Sequence, residues 1–237
     1  MSLPKDENPR SHPFIKPPRN ASISNDIDGR RISIAYSVSE CEIRATNYIS
    51  SLLGTTQQVD TSMNSDIESR SKLDATFISL GSFYSNYKTE DMLNATENIF
   101  VCVNSGLETS SILESNCPIQ WSGNNFKLMS GESFYINSEC DYGLILRITP
   151  TEQPDNAWLI CAGIGEWGTS GASWYLANRW KGLIQKLGTW KYRSGMFPIP
   201  DFAVIVEVKK GQDESARIIK MYKRQDNQAV EVDVLQG

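Results

Sequence analysis

Short apolar runs alternate along this chain with segments of helical periodicity. The clearest runs are ISIAY at 32–36, ATFISLG at 75–81, NIFVCVN at 98–104, AWLICAG at 157–163 and FAVIVEV at 202–208. These runs are rich in branched and aromatic residues and show little alternation, which is typical of strands that are covered on both faces. Because parallel sheets favour such strands, the pattern predicts a mostly parallel sheet.

Helical spacing of apolar residues follows several of these runs. The segments at 39–54 and 172–188 place their apolar residues three or four positions apart and end at Gly54 and Gly188. Strands that alternate with helices predict an α/β fold, namely a Rossmann-like three-layer domain. Residues 118–148 alternate more strictly between apolar and polar and contain Ser-Gly and Asn-Asn turn signals, which predicts a β-hairpin or meander insertion in that domain.

The domain boundaries follow from shifts in composition. Residues 1–29 contain five prolines and few large apolar side chains, so this segment is expected to be a disordered leader. The Rossmann-like domain is expected to span 30–224. Residues 225–237 are interpreted as a C-terminal tail or an edge strand.

The charge balance narrows the range of partners. The chain carries 23 Lys and Arg residues against 28 Asp and Glu residues, which gives a net charge of −5. Such a balance provides no basic field for nucleic acid or an anionic membrane. The chain shows neither an apolar run of membrane-spanning length nor the apolar core of a signal peptide. We therefore expect a soluble, cytoplasmic protein.

Cysteine and histidine usage argues against metal and triad chemistry. The five cysteines are widely spaced and form no CxxC pair, and His12 is the only histidine. A Cys/His zinc site and a histidine-dependent catalytic triad therefore have no plausible residues. Three cysteines lie in or beside apolar segments, Cys41, Cys102 and Cys161, and are expected to be small buried hydrophobic residues.

The most specific motif is glycine-rich and lies between a predicted strand and a predicted helix. Gly163, Gly165 and Gly168 match the pattern G-x-G-x-x-G. In such a turn the amides and the helix dipole favour a phosphate or carboxylate, and Thr169 and Ser170 add hydroxyl groups. No acidic residue stands about 20 positions further on to bind a ribose, which counts against a dinucleotide site. The alternative is that these glycines only allow the helix to pack closely on the strand.

Two other polar segments, Ser37–Cys41 and Gly81–Asn86, also follow predicted strands. Because the carboxyl ends of parallel strands share one edge, all three loops are expected to meet there. The predicted ligand-binding residues are Ser37, Ser39, Gly81, Ser82, Ser85, Asn86, Gly163, Gly165, Trp167, Gly168, Thr169 and Ser170.

Alternatives stay open for individual residues of this edge. Glu166 is the catalytic candidate, suited to general acid/base chemistry if Trp167 shields it from water, and otherwise a solvated carboxylate. Asn86 and Ser85 could instead cap a helix. Outside this edge, Arg147 lies within the apolar run LILRI and is expected to pair with an Asp or Glu.

The order of three motifs, ISLGSFYSNYKTEDML, DYGLILRITP and AWLICAGIGEWGTSG, resembles a group of uncharacterised bacterial Rossmann-like domains. The positions that fit the resemblance are Gly81, Asn86, Asp141, Tyr142, Gly143, Gly168 and Thr169. Phe83 stands where a proline is expected, which leaves the shape of the first turn open. The resemblance covers roughly residues 30–210 and implies kinship with nucleotide-ligand modules of bacterial signalling and defence.

Three functional hypotheses follow. The favoured one is a domain that binds a small anionic metabolite, namely a nucleotide or nucleotide derivative, at the loops named above. The second is a hydrolase or transferase that acts on the glycosidic bond of a nucleoside or NAD-type substrate through Glu166. The third is a non-enzymatic interaction module with a protein partner. The sequence names no cofactor.

Overall fold

The structure, a computed structural model, describes residues 39–54, 62–64, 74–82, 86–94, 99–103, 117–188 and 199–234. The chain divides into a short unit, Met1–Glu40, and a large unit, Cys41–Gly237. The description below concerns the large unit, which contains every element except the first residue of the first helix. The predicted strand at 32–36 and the predicted leader lie outside the described residues.

The described residues form thirteen helices and strands. In chain order these are α1 Glu40–Gly54, β1 Phe77–Leu80, α2 Tyr87–Asn94, β2 Val101–Val103, β3 Ile119–Ser122, β4 Asn125–Leu128, β5 Ser133–Tyr135, β6 Cys140–Ile148, β7 Trp158–Gly163, α3 Glu166–Lys186, β8 Phe202–Lys209, β9 Gln212–Gln225 and β10 Gln228–Glu231. The predicted helices after 39 and 172 are present, although α3 already begins at Glu166.

The strands form two mixed sheets. The larger has six strands in the order β1-β7-β6-β8-β9-β10, and the smaller has four in the order β2-β3-β4-β5. Only β1 and β7 run parallel in the larger sheet, and its four other pairs are antiparallel. In the smaller sheet β2 and β3 are parallel, whereas β3, β4 and β5 form an antiparallel meander.

The predicted Rossmann-like α/β fold with a mostly parallel sheet is therefore wrong. The runs at 157–163 and 202–208 are largely buried on both faces, as predicted, but antiparallel neighbours produce this burial as well as parallel ones do. One face of the six-stranded sheet is covered by α1 and α3, and the other by the second sheet together with α2. A continuous apolar run therefore indicated that a strand is covered on both faces, but not whether its neighbours run parallel or antiparallel.

Two tight turns account for much of the antiparallel pairing. Gly211 adopts φ 84° between β8 and β9, and Asp226 and Asn227 adopt φ 50° and 59° between β9 and β10. Positive φ at both central residues, as at Asp226 and Asn227, is the backbone of a type I′ turn, a common two-residue hairpin loop. The segment ARIIKMYK, which the sequence left open between strand and helix, lies within the long strand β9. Strand β10 is the edge of the sheet.

The core has two halves, one on each face of the large sheet. Ile145, Val204 and Val206 point to the face on which Leu176 and Leu183 of α3 and Ile49 of α1 pack. The opposite half is shared with the second sheet and α2, and its residues include Trp121, Phe126, Met92, Leu144 and Ile205. Alternate residues of β6 and β8 supply both halves, as the period of a strand requires.

Side-chain pairing adds polar contacts at the end of the sheet where β6 ends. Arg147 Nη1 donates to Asp201 Oδ1 at 2.8 Å, and Arg224 Nη1 donates to Asp201 Oδ2 at 3.1 Å. The prediction that Arg147 pairs with a carboxylate is confirmed. Burial lowers the pKa of Arg147, and the charge of Asp201 opposes this shift.

The cysteines fall into two groups. Cys41 and Cys161 are free and buried, whereas Cys102 forms a disulfide with Cys117. The prediction that Cys102 is an ordinary buried thiol is thus wrong. Its partner lies 15 residues away in the sequence, and the chain approaches itself there because β2 and β3 are neighbours. Across the described ranges, no helix combines the length and apolarity needed to cross a membrane.

Candidate functional site

Two strand-to-helix turns lie side by side at one edge of the large sheet. Strands β1 and β7 are adjacent and parallel, with Leu80 opposite Cys161, and Gly81 N donates to Cys161 O at 3.0 Å. After β1 the chain turns into α2, which packs on the face shared with the second sheet, whereas after β7 it turns into α3 on the opposite face. The two turns, Gly81–Asn86 and Gly163–Ser170, therefore diverge at the carboxyl ends of the strands, which is where open sheets hold a ligand crevice. The space between the described residues of the two turns is called the crevice below.

The Gly163–Ser170 turn is completed by a side chain from another strand. Asp141, near the start of β6, is 1% exposed. Its Oδ1 accepts hydrogen bonds from Gly165 N at 3.1 Å and Tyr142 N at 2.7 Å, and its Oδ2 accepts one from Gly168 N at 2.8 Å. Amides that the sequence assigned to an incoming anion are thus bound by the chain's own carboxylate.

The glycines of this turn allow backbone to touch backbone. A Cβ added to Gly168 would lie 2.1 Å from Tyr142 O, and one added to Gly143 would lie 2.2 Å from Gly168 O. A Cβ on Gly163 would lie 2.2 Å from Gly165 O. No side chain fits at these distances, so the first turn of α3 sits directly on β6 and β7. Close packing of helix on strand, the alternative left open by the sequence, is present here.

Asp141 combines burial with favourable partners. Burial raises the pKa of this carboxyl, and the amides of Gly168, Tyr142 and Gly165 lower it by less. A carboxylate is nevertheless well placed at the start of α3, because the positive end of the helix dipole points toward it. Asp141 is therefore an internal anion that satisfies the helix N-terminus.

The Gly81–Asn86 turn is completed from within. Asn86 Oδ1 accepts a hydrogen bond from Thr89 N at 3.0 Å, and Asn86 Nδ2 donates to Leu80 O at 2.8 Å. Asn86 thus caps α2, which is the alternative that the sequence left open for it. Gly81 adopts φ 118°, which favours glycine, and the Ser82 carbonyl accepts from Asn86 N at 2.7 Å. Ser85 lies outside the described residues.

A buried pair of hydroxyls supports this turn and was missed at the sequence level. Ser79 Oγ and Thr89 Oγ1 lie 2.8 Å apart, and Thr89 Oγ1 donates to Gly81 O at 2.9 Å. Thr89 is fully buried. The signal was present as a Ser and a Thr on either side of the predicted turn, but their pairing depends on how α2 folds back on β1.

Helix α1 is attached to this edge through Asp213 of β9. Asp213 accepts hydrogen bonds from Tyr48 OH at 3.0 Å and Ser170 Oγ at 2.5 Å, and Arg44 Nε lies 3.0 Å from its Oδ2. The Arg44 guanidinium also lies 4.3 Å from the centroid of the Trp167 ring. Burial, and then the hydrogen bond to Asp213, raises the pKa of Tyr48 to about 12. One buried carboxylate therefore joins α1, α3 and β9.

The remaining predicted residues take different positions. Thr169 is buried, Trp167 is half-buried, and Glu166 is exposed at the first position of α3. Ser39 directly precedes α1, and Ser37 lies outside the described residues. Shielding of Glu166 by Trp167, which the acid/base hypothesis requires, is not found, because Glu166 is exposed while the ring of Trp167 contacts Arg44.

No strong nucleophile is exposed at the crevice among the residues that the structure describes. Cys41 is 3% exposed, and burial raises the pKa of its thiol. Ser170 is fully buried and donates to Asp213 without an intervening base. Within the described ranges, no cluster of three or more His, Cys, Asp or Glu side chains could hold a metal ion.

Carboxylates outnumber cations around the crevice. A Cβ on Gly81 would lie 3.6 Å from Glu42 Oε1, so α1 also borders the crevice. The carboxylates on or next to the two turns are Glu42, Asp141, Glu166 and Asp213. The cations beside them include Arg44 and also Lys210, whose charge lowers the pKa of Asp141. Such a balance repels an anion and attracts a cation.

The expectation of a nucleotide rested on the two glycine- and hydroxyl-containing turns behind apolar strands and on the Rossmann-like resemblance. The mixed sheet contradicts the fold that the resemblance implied, and the nucleotide stays a prediction. Bacterial origin rested on the same resemblance and is likewise unsupported. Asp141 stood in the quoted Asp-Tyr-Gly motif, but its role depends on contacts 24 and 27 residues away. No protein-family model, no curated protein and no solved structure matches this chain.

Proposed function

We propose that this domain is a binding module that takes a small polar molecule into the crevice between Gly81–Asn86 and Gly163–Ser170. The observation that carries the proposal is topological. Adjacent parallel strands β1 and β7 send their helices to opposite faces of the sheet, and open sheets bind ligands at such a point.

The charges favour a cationic or uncharged ligand. Asp141 already holds the amides of Gly165 and Gly168, and Glu166 is exposed at the mouth of the turn. A phosphate would have to approach these carboxylates at a Coulombic cost that low dielectric increases. The anionic, nucleotide-like ligand expected from the sequence therefore stays a prediction that the charge distribution does not favour.

Binding without chemistry is favoured over hydrolysis. The glycosidic-bond hypothesis needs Glu166 as an acid/base residue shielded from water, whereas Glu166 is exposed. Arg44 and Trp167 contact each other, and Ser170 is held by Asp213. These groups are engaged in holding α1 and α3 together and not in presenting a nucleophile.

Thermal unfolding with three ligand classes tests the proposal. The panel contains amines and guanidines, neutral sugars, and anionic nucleotides that include ATP, NAD, ADP-ribose and a cyclic nucleotide, each at millimolar concentration. A ligand that binds only the folded protein stabilises it by about 4 kcal/mol at 1,000 times its Kd. We expect stabilisation by a member of the first two classes. Stabilisation by the nucleotides alone would contradict the proposed ligand class.

Matched variants locate the site. Glu166→Lys reverses an exposed charge at the crevice, and Glu152→Lys makes the same change in the exposed β6–β7 loop at the other end of the sheet. We expect Glu166→Lys to weaken binding of a cationic ligand at least tenfold and Glu152→Lys to leave it unchanged. Equal effects of the two variants would place the ligand elsewhere. Turnover that Glu166→Gln abolishes without loss of binding would favour the hydrolase hypothesis instead.

A further inference from the structure

The disulfide on the second sheet joins Cys102, which is partly exposed, to Cys117, which is buried. Cys102 is the middle residue of β2, and Cys117 lies two residues before β3. The Cα atoms of the two cysteines are 5.9 Å apart, as they are in ordinary disulfides. This bond is therefore a second connection between β2 and β3, in addition to their hydrogen bonds.

Strand alternation places the Cys102 side chain on the outer face of this sheet. Val101 is buried in the core and Val103 packs against the same core, so Cys102 between them points away from it. Cys102 is partly exposed, and its neighbour in the register, Gln120, is partly exposed as well. A small thiol can thus approach the Cys102 sulfur without unfolding the core.

Strand β2 depends on this bond more than the other strands do. It has three residues and, among the described strands, lies at the edge of the sheet and pairs only with β3. The pairing is parallel, and its three register positions are Val101 with Ile119, Cys102 with Gln120 and Val103 with Trp121. A parallel pair this short is weak by itself, and a covalent link restricts how far its strands can separate.

The other described cysteines are poor competitors for this pairing. Burial raises the pKa of Cys41, and burial raises the pKa of Cys161 to about 12. Because exchange requires an accessible thiolate, these two residues cannot readily attack the disulfide. Cys140 is the remaining free cysteine of the described residues, and it is partly exposed. Cys140 is therefore the control for oxidation of a cysteine outside the disulfide.

We propose that Cys102 and Cys117 form a reversible redox pair that locks β2 onto β3. The thiolate of a low-molecular-weight thiol attacks Cys102 Sγ, the Cys102–Cys117 bond breaks, and Cys117 leaves as a thiolate that takes up a proton. A second thiol then displaces Cys102 from the mixed disulfide. The products are two protein thiols and one oxidised reagent disulfide, so atoms and electrons balance. This inference does not depend on a ligand in the crevice.

Equilibration in mixtures of reduced and oxidised glutathione tests the proposal. After alkylation, intact and peptide masses report which cysteines are oxidised, and hydrogen exchange reports the protection of 99–103 and 117–122. We expect one two-electron transition confined to Cys102 and Cys117. In the reduced protein, amides of β2 should exchange at least tenfold faster, while those of β8 and β9 keep their protection.

Two substitutions complete the test. Cys102→Ser should reproduce the faster exchange of β2 in oxidising buffer, and Cys140→Ser should leave the transition unchanged. The proposal is overturned if both cysteines are alkylated in the oxidised native protein, if reduction requires global unfolding, or if β2 exchanges equally fast in both states. Should Cys102→Ser fail to fold, while the wild-type protein also unfolds on reduction, the bond is structural and the proposal is wrong.

Discussion

The two turns that border the crevice have the same strand-to-helix plan but are held in different ways. The Gly81–Asn86 turn is held by Asn86 and by hydroxyls on either side of it, all within 10 residues of one another. The Gly163–Ser170 turn is held by Asp141 of β6 and Asp213 of β9, which lie 24 or more residues away. The first is a local structure, whereas the second forms only when several strands are in place.

This difference identifies where the domain tolerates change. In the Gly81–Asn86 turn, a substitution affects one cap and one helix of eight residues. In the Gly163–Ser170 turn, it affects a helix of 21 residues together with the central strands on which that helix packs. Corresponding substitutions in the two turns should therefore have unequal effects on the free energy of unfolding, and the following measurements test that expectation.

The largest difference is expected between two glycine substitutions. Gly168→Ala places a Cβ 2.1 Å from Tyr142 O and 2.9 Å from Gly163 Cα, where only backbone could move away. We expect a loss of about 4 kcal/mol or more. Gly81→Ala meets no atom closer than 3.4 Å and suffers mainly from φ 118°, at about 1–3 kcal/mol. Urea denaturation measures both, and equal losses would contradict the comparison.

The next difference concerns the two side chains that complete the turns. Asp141→Ala leaves the buried amides of Tyr142, Gly165 and Gly168 without their acceptor, which we expect to cost about 3–5 kcal/mol. Asn86→Ala removes a helix cap and should cost about 1–2 kcal/mol. The same denaturation experiment compares them. A smaller loss for Asp141→Ala than for Asn86→Ala would show that water replaces the carboxylate.

A smaller loss of unfolding free energy is expected from a change at the contact between α1 and the Gly163–Ser170 turn. Asp213→Asn keeps the shape of the side chain but removes the charge that faces Arg44, and we expect a loss of about 1–3 kcal/mol. Hydrogen exchange should then increase in α1, while α2, which packs on the opposite face of the sheet, keeps its protection. Ser170→Ala is the matched control, because it removes one donor and leaves the charge in place.

The smallest effect is a change in alkaline stability. The folded protein raises the pKa of Tyr48 from 10.0 to about 12, so the native state keeps this phenol protonated when the unfolded chain has lost its proton. The contribution is complete below pH 10 and is lost as the pH rises toward 12. Tyr48→Phe should make the decline of stability over this interval less steep. An unchanged slope would contradict a role for Tyr48 and assign the decline to other groups whose pKa burial raises to about 12, namely Tyr222 and Cys161.

Local patterns in the sequence predicted most of the elements but not their arrangement. The strand at 157–163, the helix that follows it and the cap at Asn86 depend on neighbouring residues and were recognisable. The direction of pairing was not, because strands covered on both faces look alike in parallel and antiparallel sheets. Gly211 and the Asp226–Asn227 pair carried the missing hairpin signals.

The long-range contacts of the site could not be predicted from local sequence either, because they too depend on how the strands pair. Asp141, Arg44 and Asp213 are ordinary charged residues until the sheet brings them to one edge. Arg147 shows the limit of such reasoning: its need for a carboxylate follows from its place in an apolar strand, but the choice of Asp201, 54 residues away, does not. The type of partner is predictable from chemistry, and its identity requires the fold.

Backbone contact between Gly143 and Gly168 also restricts the mechanics of the domain. Side chains between two elements can change rotamer and allow the elements to shift. No side chain lies between Gly143 and Gly168, so α3 cannot rotate or slide on β6 without breaking the contact. We expect α3 to behave as a rigid part of the sheet. Any displacement that starts in the crevice would then be carried by α1 or α2, whose contacts are made by side chains that can change rotamer.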